Sequence, residues 1–159
     1  MEYRIATVDE VAKQFDWLID THENKEQWQE WKNCFIRRIN NGTYVPYYGF
    51  IGDTCICEAY AVYKTTNIPE LTENNKIYFT AFRTRPEYRN QGYFSKLYRF
   101  MLDDLRKKGY NTFTIGVEST ELENKLRYTH WGFIKYITSE VDEYSDGSTH
   151  IIEYYEKVI

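Results

Sequence analysis

The residues with the clearest chemical pattern in this chain run Arg85-Pro86-Glu87-Tyr88-Arg89-Asn90-Gln91-Gly92-Tyr93-Phe94-Ser95. An apolar segment, Ile77 to Phe82, leads into them, and a strongly periodic helical stretch leads out. The order is strand, basic turn with glycine, helix. A helix begins with amide N–H groups that have no carbonyl partner and with the positive end of its dipole. Placed at the end of a strand, such a start attracts phosphate. Arg85 and Arg89 add full positive charge, and Gly92 lets backbone approach an anion closely. Read from the residues alone, this is a phosphate site on a helix start.

The same residues resemble a known family. Arg89-Asn90-Gln91-Gly92-Tyr93-Phe94 is similar to the pyrophosphate-binding turn of the GNAT acyltransferases, R/Q-x-x-G-x-G/A. Further on, Glu118 and Asn124, Tyr128, Gly132 and Phe133 match the second half of that family's acyl-CoA site, commonly N-x-x-x-Y-x-x-x-G-F. The matched region spans Ile77 to Ile134, over a third of the chain. Phe94 departs from the pattern, because a small residue is usual there. Yet Phe94, Leu97, Tyr98, Met101, Leu102 and Leu105 recur as one buried helix face. Its ring is therefore expected to turn toward the core and leave its N–H free.

The resemblance implies an α/β fold, a mixed sheet of about seven strands flanked by about four helices and splayed in the middle to admit the pantetheine arm. It implies acetyl-CoA as cosubstrate and direct acetyl transfer to a primary amine of a small molecule or peptide. A non-catalytic acyl-CoA-binding or regulatory domain on the same fold is the alternative, since fold does not settle function. The pyrophosphate falls to Arg89, Asn90, Gln91, Gly92, Tyr93, Phe94 and Ser95, and pantetheine to the backbone of Phe82 and Thr84. Asn124 either contacts the cofactor arm or caps local backbone. Tyr128 matches the tyrosine that such enzymes use as general acid to the CoA thiolate, and a phenol is a donor with a pKa near 10. His130, two residues on, faces away on a helix.

The general base is not readable. Glu58 stands in a mostly apolar strand, where a carboxylate is costly unless paired. It either serves the amine or pairs with Arg83. Glu118 follows a strand near the expected splay and is a catalytic candidate or a surface carboxylate. Trp17, Trp28, Tyr44 and Tyr47 line an aromatic acceptor site, or belong to the core or to oligomer contacts.

Bulk properties bound the rest. A length of 159 residues fits one domain spanning 1–159. Net charge is −4, without the basic surplus of nucleic-acid binders. The patch at Arg83, Arg85 and Arg89 still suits a phosphate-bearing cosubstrate, and the acidic remainder mildly favours cationic acceptors. Cys34, Cys55 and Cys57 are odd in number, which argues against a disulfide scaffold. Cys55 and Cys57, two apart in a strand, are expected on the same face. His22, His130 and His150 are too scattered for a metal site. The N-terminus has no secretory signal and no segment reads as a membrane span, which points to the cytoplasm. A monomer or homodimer is expected.

The elements follow from local signals. Tyr3 to Ala6 reads as a strand, and Thr7 and Glu10 as a capping box for a helix with Val8, Val11, Ala12, Phe15, Leu18 and Ile19 inward. A second helix carries Trp28, Trp31, Phe35 and Ile39 and stops at Asn40-Asn41-Gly42. Tyr44–Ile51 and Thr54–Lys64 form a hairpin about Gly52-Asp53. A polar loop, Thr66 to Asn75, precedes a strand over Lys76–Thr84 and a helix from Gln91 to Lys108. Then come a strand over Asn111–Val117, a second capping box at Thr120 and Glu123 with a helix to His130, and a hairpin of Phe133–Tyr144 with Thr149–Val158.

Overall fold

The computed structural model describes residues 1–65 and 67–159, so the first residue of the expected Thr66–Asn75 loop lies outside the described residues. Chain order is β1 (Glu2–Ile5), α1 (Val8–Thr21), α2 (Lys25–Asn40), β2 (Tyr44–Ile51), β3 (Thr54–Val62), β4 (Ile77–Thr84), α3 (Tyr93–Lys107), β5 (Thr112–Glu118), α4 (Leu122–His130), β6 (Lys135–Glu143) and β7 (Thr149–Val158). Short 3-10 turns lie at Pro69–Leu71 and Pro86–Tyr88. The strands form one seven-stranded mixed sheet in the order β1-β2-β3-β4-β5-β7-β6. This is the GNAT-like α/β architecture.

The β4–β5 pair is parallel, whereas the other neighbours are antiparallel. Its pairing covers Ile77, Tyr78 and Phe79 against Phe113, Thr114 and Ile115. Beyond Phe79 the pairing stops, and β4 carries a bulge there. Glu58 pairs with Arg83 and Tyr60 with Thr80, so Ala81 and Phe82 together oppose Ala59. Ala81 takes a φ of +57° there. A bulge bends its strand and raises the local twist. Here the β4–β5 ladder ends at Phe79 and Ile115, so the C-terminal halves of the two strands are unpaired, a gap called the wedge below.

Alternation sorts the core onto two faces. Tyr47, Cys57, Ala59, Ile77, Phe79, Phe113 and Ile115 pack with Leu97, Met101 and Leu105 of α3. Tyr44, Tyr48, Phe50, Cys55, Tyr60 and Val62 pack with Val11, Phe15 and Leu18 of α1 and Trp28 of α2. Full burial of such side chains stabilises by roughly 1.5–3 kcal/mol each. In α3 the expected stripe holds: Leu97, Tyr98, Met101 and Leu105 are buried, and Phe94 and Leu102 flank them.

Four local expectations are corrected. Cys55 and Cys57 lie on opposite faces. Gly49 pairs with Cys57 and Phe50 with Cys55, which leaves Ile56 as an extra residue that reverses the parity. The second capping box does not form. Glu121 is the N-cap of α4 without a side-chain cap bond, because the Glu121 carboxylate accepts from the Asn124 side chain at 2.6 Å. Helix α3 starts at Tyr93 rather than Gln91, since Asn90 and Gly92 both have positive φ. Strand β6 starts at Lys135 rather than Phe133, because Phe133 completes the end of α4. The capping box of Thr7 and Glu10 is present in full.

Candidate active site

A cleft of about 970 Å³ runs from α1 across the end of β4 to α4. One side is the turn before α3. Its 3-10 segment ends with Arg89 N donating to Pro86 O at 3.3 Å. The Arg89 side chain donates from Nε to Thr84 O at 3.1 Å, and Gln91 Nε2 donates to Glu87 O at 3.0 Å. These bonds tie the turn to the end of β4. Asn90 and Gly92 then swing the backbone through the left-handed region, with φ of +61° and +83°. The helical bond of Lys96 N to Gly92 O follows at 3.3 Å. The amides of Tyr93, Phe94 and Ser95 belong to the first turn before it and are the orphan donors of the helix start. A Cβ built on Gly92 would meet no protein atom within 4 Å. The turn is thus open at the position that a side chain on residue 92 would take.

Phe94 does not block that space by facing it. Its ring centroid is 4.9 Å from that of Phe82 and it stacks on Trp131 at 6.2 Å. It forms part of an aromatic wall with Phe82, Tyr128 and Trp131.

Tyr128 is held by the way α4 ends. Trp131 is the C-cap and Gly132 has a φ of +99°. Gly132 N donates to Thr129 O and Phe133 N to Tyr128 O, both at 3.0 Å. This is the paired bonding of a Schellman motif, which needs glycine or a similarly tolerant residue at the position after the cap. Phe133 is then driven into the core, 6.3 Å from Phe79. The spacing Tyr128, Gly132, Phe133 is therefore one mechanical unit. The Tyr128 ring lies edge-on to Phe82 at 6.1 Å. Burial raises its phenol pKa to about 12, and the nearby Glu121 carboxylate adds to the rise.

Of the expected cosubstrate residues, Phe82, Thr84, Arg89, Asn90, Gly92, Tyr93, Phe94, Ser95 and Asn124 line the cleft together with Tyr128. Gln91 does not line the cleft, and its side chain bonds within the turn. The two carboxylate candidates are not brought into the cleft wall. Glu58 is 1% exposed, paired with Arg83 Nη1 and accepting from Gln14 Nε2 at 2.6 Å. Glu118 contacts His150 Nδ1 at 2.5 Å. That ring stacks on Tyr144 at 4.0 Å and lines a second cavity of about 480 Å³ with Trp28, Trp31 and Arg83. Among the four aromatics singled out from sequence, Tyr44, Tyr47 and Trp28 are buried, and Trp17 lines the large cleft.

Sequence reasoning missed Gln14, His22 and Arg127 as cleft residues. Gln14 carried a readable signal. It falls on the stripe Val11, Gln14, Phe15, Leu18, where an apolar residue is expected, and all four are buried. His22 Nδ1 lies 2.9 Å from Leu18 O. A carbonyl can only accept, so Nδ1 carries a hydrogen in this contact.

Among the described residues no group of His, Cys, Asp and Glu is arranged to hold a metal, and no helix is long and apolar enough to cross a membrane.

Comparison with known proteins places this geometry. No curated protein matches the chain by sequence. The structure resembles a ribosomal-protein-alanine N-acetyltransferase from Brucella melitensis at a TM-score of 0.71 and 12% identity, covering 100% of both chains. It resembles yncA from Salmonella typhimurium, solved with its cofactor acetyl-CoA, at 0.69 and 12%, covering 99% of this chain and 93% of that one. A variant of the spermidine N-acetyltransferase of Vibrio cholerae gives 0.70 and 10%, covering 99% and 95%. At such identities these likenesses show the fold. The model of the Acetyltransferase (GNAT) family matches residues 4–133, and with most of its length matched the chain belongs to the GNAT acetyltransferase family.

Proposed function

We propose that the chain is an acetyl-CoA-dependent N-acetyltransferase that acts by direct attack of a primary amine, on a small molecule or a peptide. The observation that supports this reading most is the meeting of three parts in one cleft: the end of β4 beyond its pairing with β5, the helix start at Gly92, and Tyr128. The residues present fit the cosubstrate. The Tyr93–Ser95 amides and the Gly92 gap suit a pyrophosphate. Arg85 N donates to Ile56 O across β3 at 2.8 Å. By ladder alternation the Phe82 and Thr84 amides point away from β3, toward the gap beside β5, where they would be free to hold a pantetheine amide.

Bound there, acetyl-CoA supplies the activated acetyl thioester. The chain supplies position and protons. Aromatic rings of Phe82, Phe94 and Trp131 exclude water from one wall. Tyr128 remains a neutral phenol well past neutral pH, because burial lifts its pKa to about 12. It therefore holds a proton to donate at the sulfur as the carbon–sulfur bond breaks and the carbon–nitrogen bond forms. The proton that the amine gives up passes to solvent in the cleft, since neither Glu58 nor Glu118 lines it. Glu58 acts at one remove, by fixing Arg83.

The test is free-thiol release from acetyl-CoA across amino acids, peptides, polyamines and aminoglycosides, with calorimetric titration of acetyl-CoA alongside. Amine-dependent thiol release is expected. Acetyl-CoA binding without release for any amine class would favour the non-catalytic alternative, and absence of binding would overturn the site.

A further inference from the structure

Arg85 is left with a charge that the described structure does not answer. It follows the last residue of β4 and lines the large cleft beside Gln14 and Trp17. Its guanidinium lies over the Trp17 ring, 3.9 Å from the centroid. Nη2 donates to Gln14 Oε1 at 3.4 Å, a long bond to a neutral group. Nε is buried and has no hydrogen-bond partner. Among the described residues Arg85 enters no ion pair. The neighbouring Arg83 differs, since it is paired with Glu58. Arg4 on β1 likewise pairs with Glu2 and Glu10.

A buried N–H without a partner costs about 1–3 kcal/mol. Nε has no surface open to a ligand, so an acceptor in the cleft meets the two terminal nitrogens, which carry the rest of the charge. That fork matches the two oxygens of a carboxylate. Trp17 holds the planar group flat against the wall, which orients the fork before a ligand arrives. The cleft carboxylates, Glu87 and Glu123, belong to the phosphate turn and to α4 rather than to this wall. With Arg83 neutralised by Glu58, the α1 side of the cleft carries uncompensated positive charge.

We infer that Arg85 binds a carboxylate of the acceptor, so that the substrate class is an amine bearing an acidic group, such as an amino acid or a peptide with a free carboxylate. This rests on the acetyltransferase reading. It departs from the weak expectation of cationic acceptors drawn from the chain's net charge of −4. A polyamine would meet a like charge at Arg85. The phosphates of acetyl-CoA are oxyanions of the same kind, so the experiment must separate the two sources.

The experiment compares wild type, Arg85→Gln and Arg85→Lys with matched acceptors: a set of amino acids, their carboxamides, and spermidine. Wild type should favour the acids over the amides. Arg85→Gln should lower kcat/KM for the acids by roughly tenfold or more, with little change for the amides, and Arg85→Lys should recover part of it. Acetyl-CoA affinity by calorimetry should stay within about twofold of wild type. Equal losses for acid and amide, or no loss, overturn the inference. A fall in acetyl-CoA affinity with unchanged acceptor preference assigns Arg85 to the cosubstrate phosphates and also overturns it. Should wild type turn over no amine, the acetyltransferase reading fails first. Titration with N-acetyl amino acids and their amides then decides the Arg85 claim, which falls if the acids bind no better than the amides.

Discussion

Gly92 offers a perturbation whose size can be worked from geometry. It has a φ of +83° and a built Cβ meets no protein atom within 4 Å. Replacement by Ala therefore adds no clash within the free protein. It adds only the cost of an L-residue in the left-handed region, about 1–2 kcal/mol. If the turn pays that cost and keeps its shape, stability falls and affinity does not. Affinity falls for one of two reasons. Either the new methyl occupies the space of the phosphate, or the turn relaxes and the Tyr93–Ser95 amides lose their aim. Asn separates these, because it carries a Cβ yet tolerates the left-handed region. For Gly92→Val, where β-branching makes that backbone shape least tolerable, acetyl-CoA binding should weaken at least tenfold, about 1.4 kcal/mol. Ala should be intermediate. If Gly92→Asn binds as weakly as Gly92→Ala, the methyl's occupancy of the anion site is the cause; if it binds like wild type, backbone shape is. The assay is calorimetric titration of acetyl-CoA beside thermal unfolding. Affinities of Val, Ala and Asn variants all within twofold of wild type would refute the placement of pyrophosphate on this turn.

Tyr128→Phe should lower kcat by roughly ten- to thousandfold while leaving acetyl-CoA affinity unchanged, since ring packing remains; equal kcat for both proteins removes the general-acid role. Because burial raises the Tyr128 pKa from 10.0 to about 12, its proton is retained as pH rises through 10, so the kcat–pH profile should lack a basic limb near the ordinary phenol value; a descending limb centred there would count against the role. Glu58→Gln removes the charge that pairs with the partly exposed Arg83 and should destabilise the fold by about 1–3 kcal/mol, read as a lowered Tm, with a smaller effect on turnover per folded molecule; an unchanged Tm would show that the pair is not what holds β3 to β4 at the bulge. A Cys34, Cys55 and Cys57 triple Ala variant should keep its turnover per folded molecule, because Cys55 and Cys57 are buried and burial pushes the Cys57 thiol to about 12, far from a reactive thiolate; an acetylated cysteine on the reaction path would overturn direct transfer.

What could be read from sequence was what local rules govern. The strand, turn and helix around Gly92 follow from periodicity, a glycine and orphan amides, all within about twenty residues. Thr7 and Glu10 close their capping box because both partners lie in one helical turn. Thr120 and Glu123 carry the same pattern, but Glu121 bonds Asn124 and the helix begins past Thr120. The carboxylates were illegible for a different reason. Glu58 meets Gln14, which is 44 residues away, and Glu118 meets His150, 32 residues away. Those meetings depend on strand register, and no local rule fixes register across crossovers. Arg83 as partner of Glu58 was one of two open readings, and the hairpin-like register of β3 with β4 supports it.

One residue in β4 decides which groups share the cleft. Strict alternation from Ile77 and Phe79 would continue through Ala81 to Arg83, sending an arginine into the α3-side core. Phe82 and Thr84 would then face α1. The bulge at Ala81 reverses this. Ala81 packs with the α1 and α2 core, while Phe82 joins Phe79 on the α3 side. Arg83 is thereby placed against Glu58 and over the Trp28 ring at 4.8 Å. Arg85, two further on, reaches Gln14 and Trp17 of α1. The same extra residue bends β4 just beyond the point where its ladder with β5 ends. The chemistry of the cleft's two walls thus has one cause: an aromatic wall toward Tyr128 and a cationic wall toward α1 both follow from where the alternation of β4 breaks.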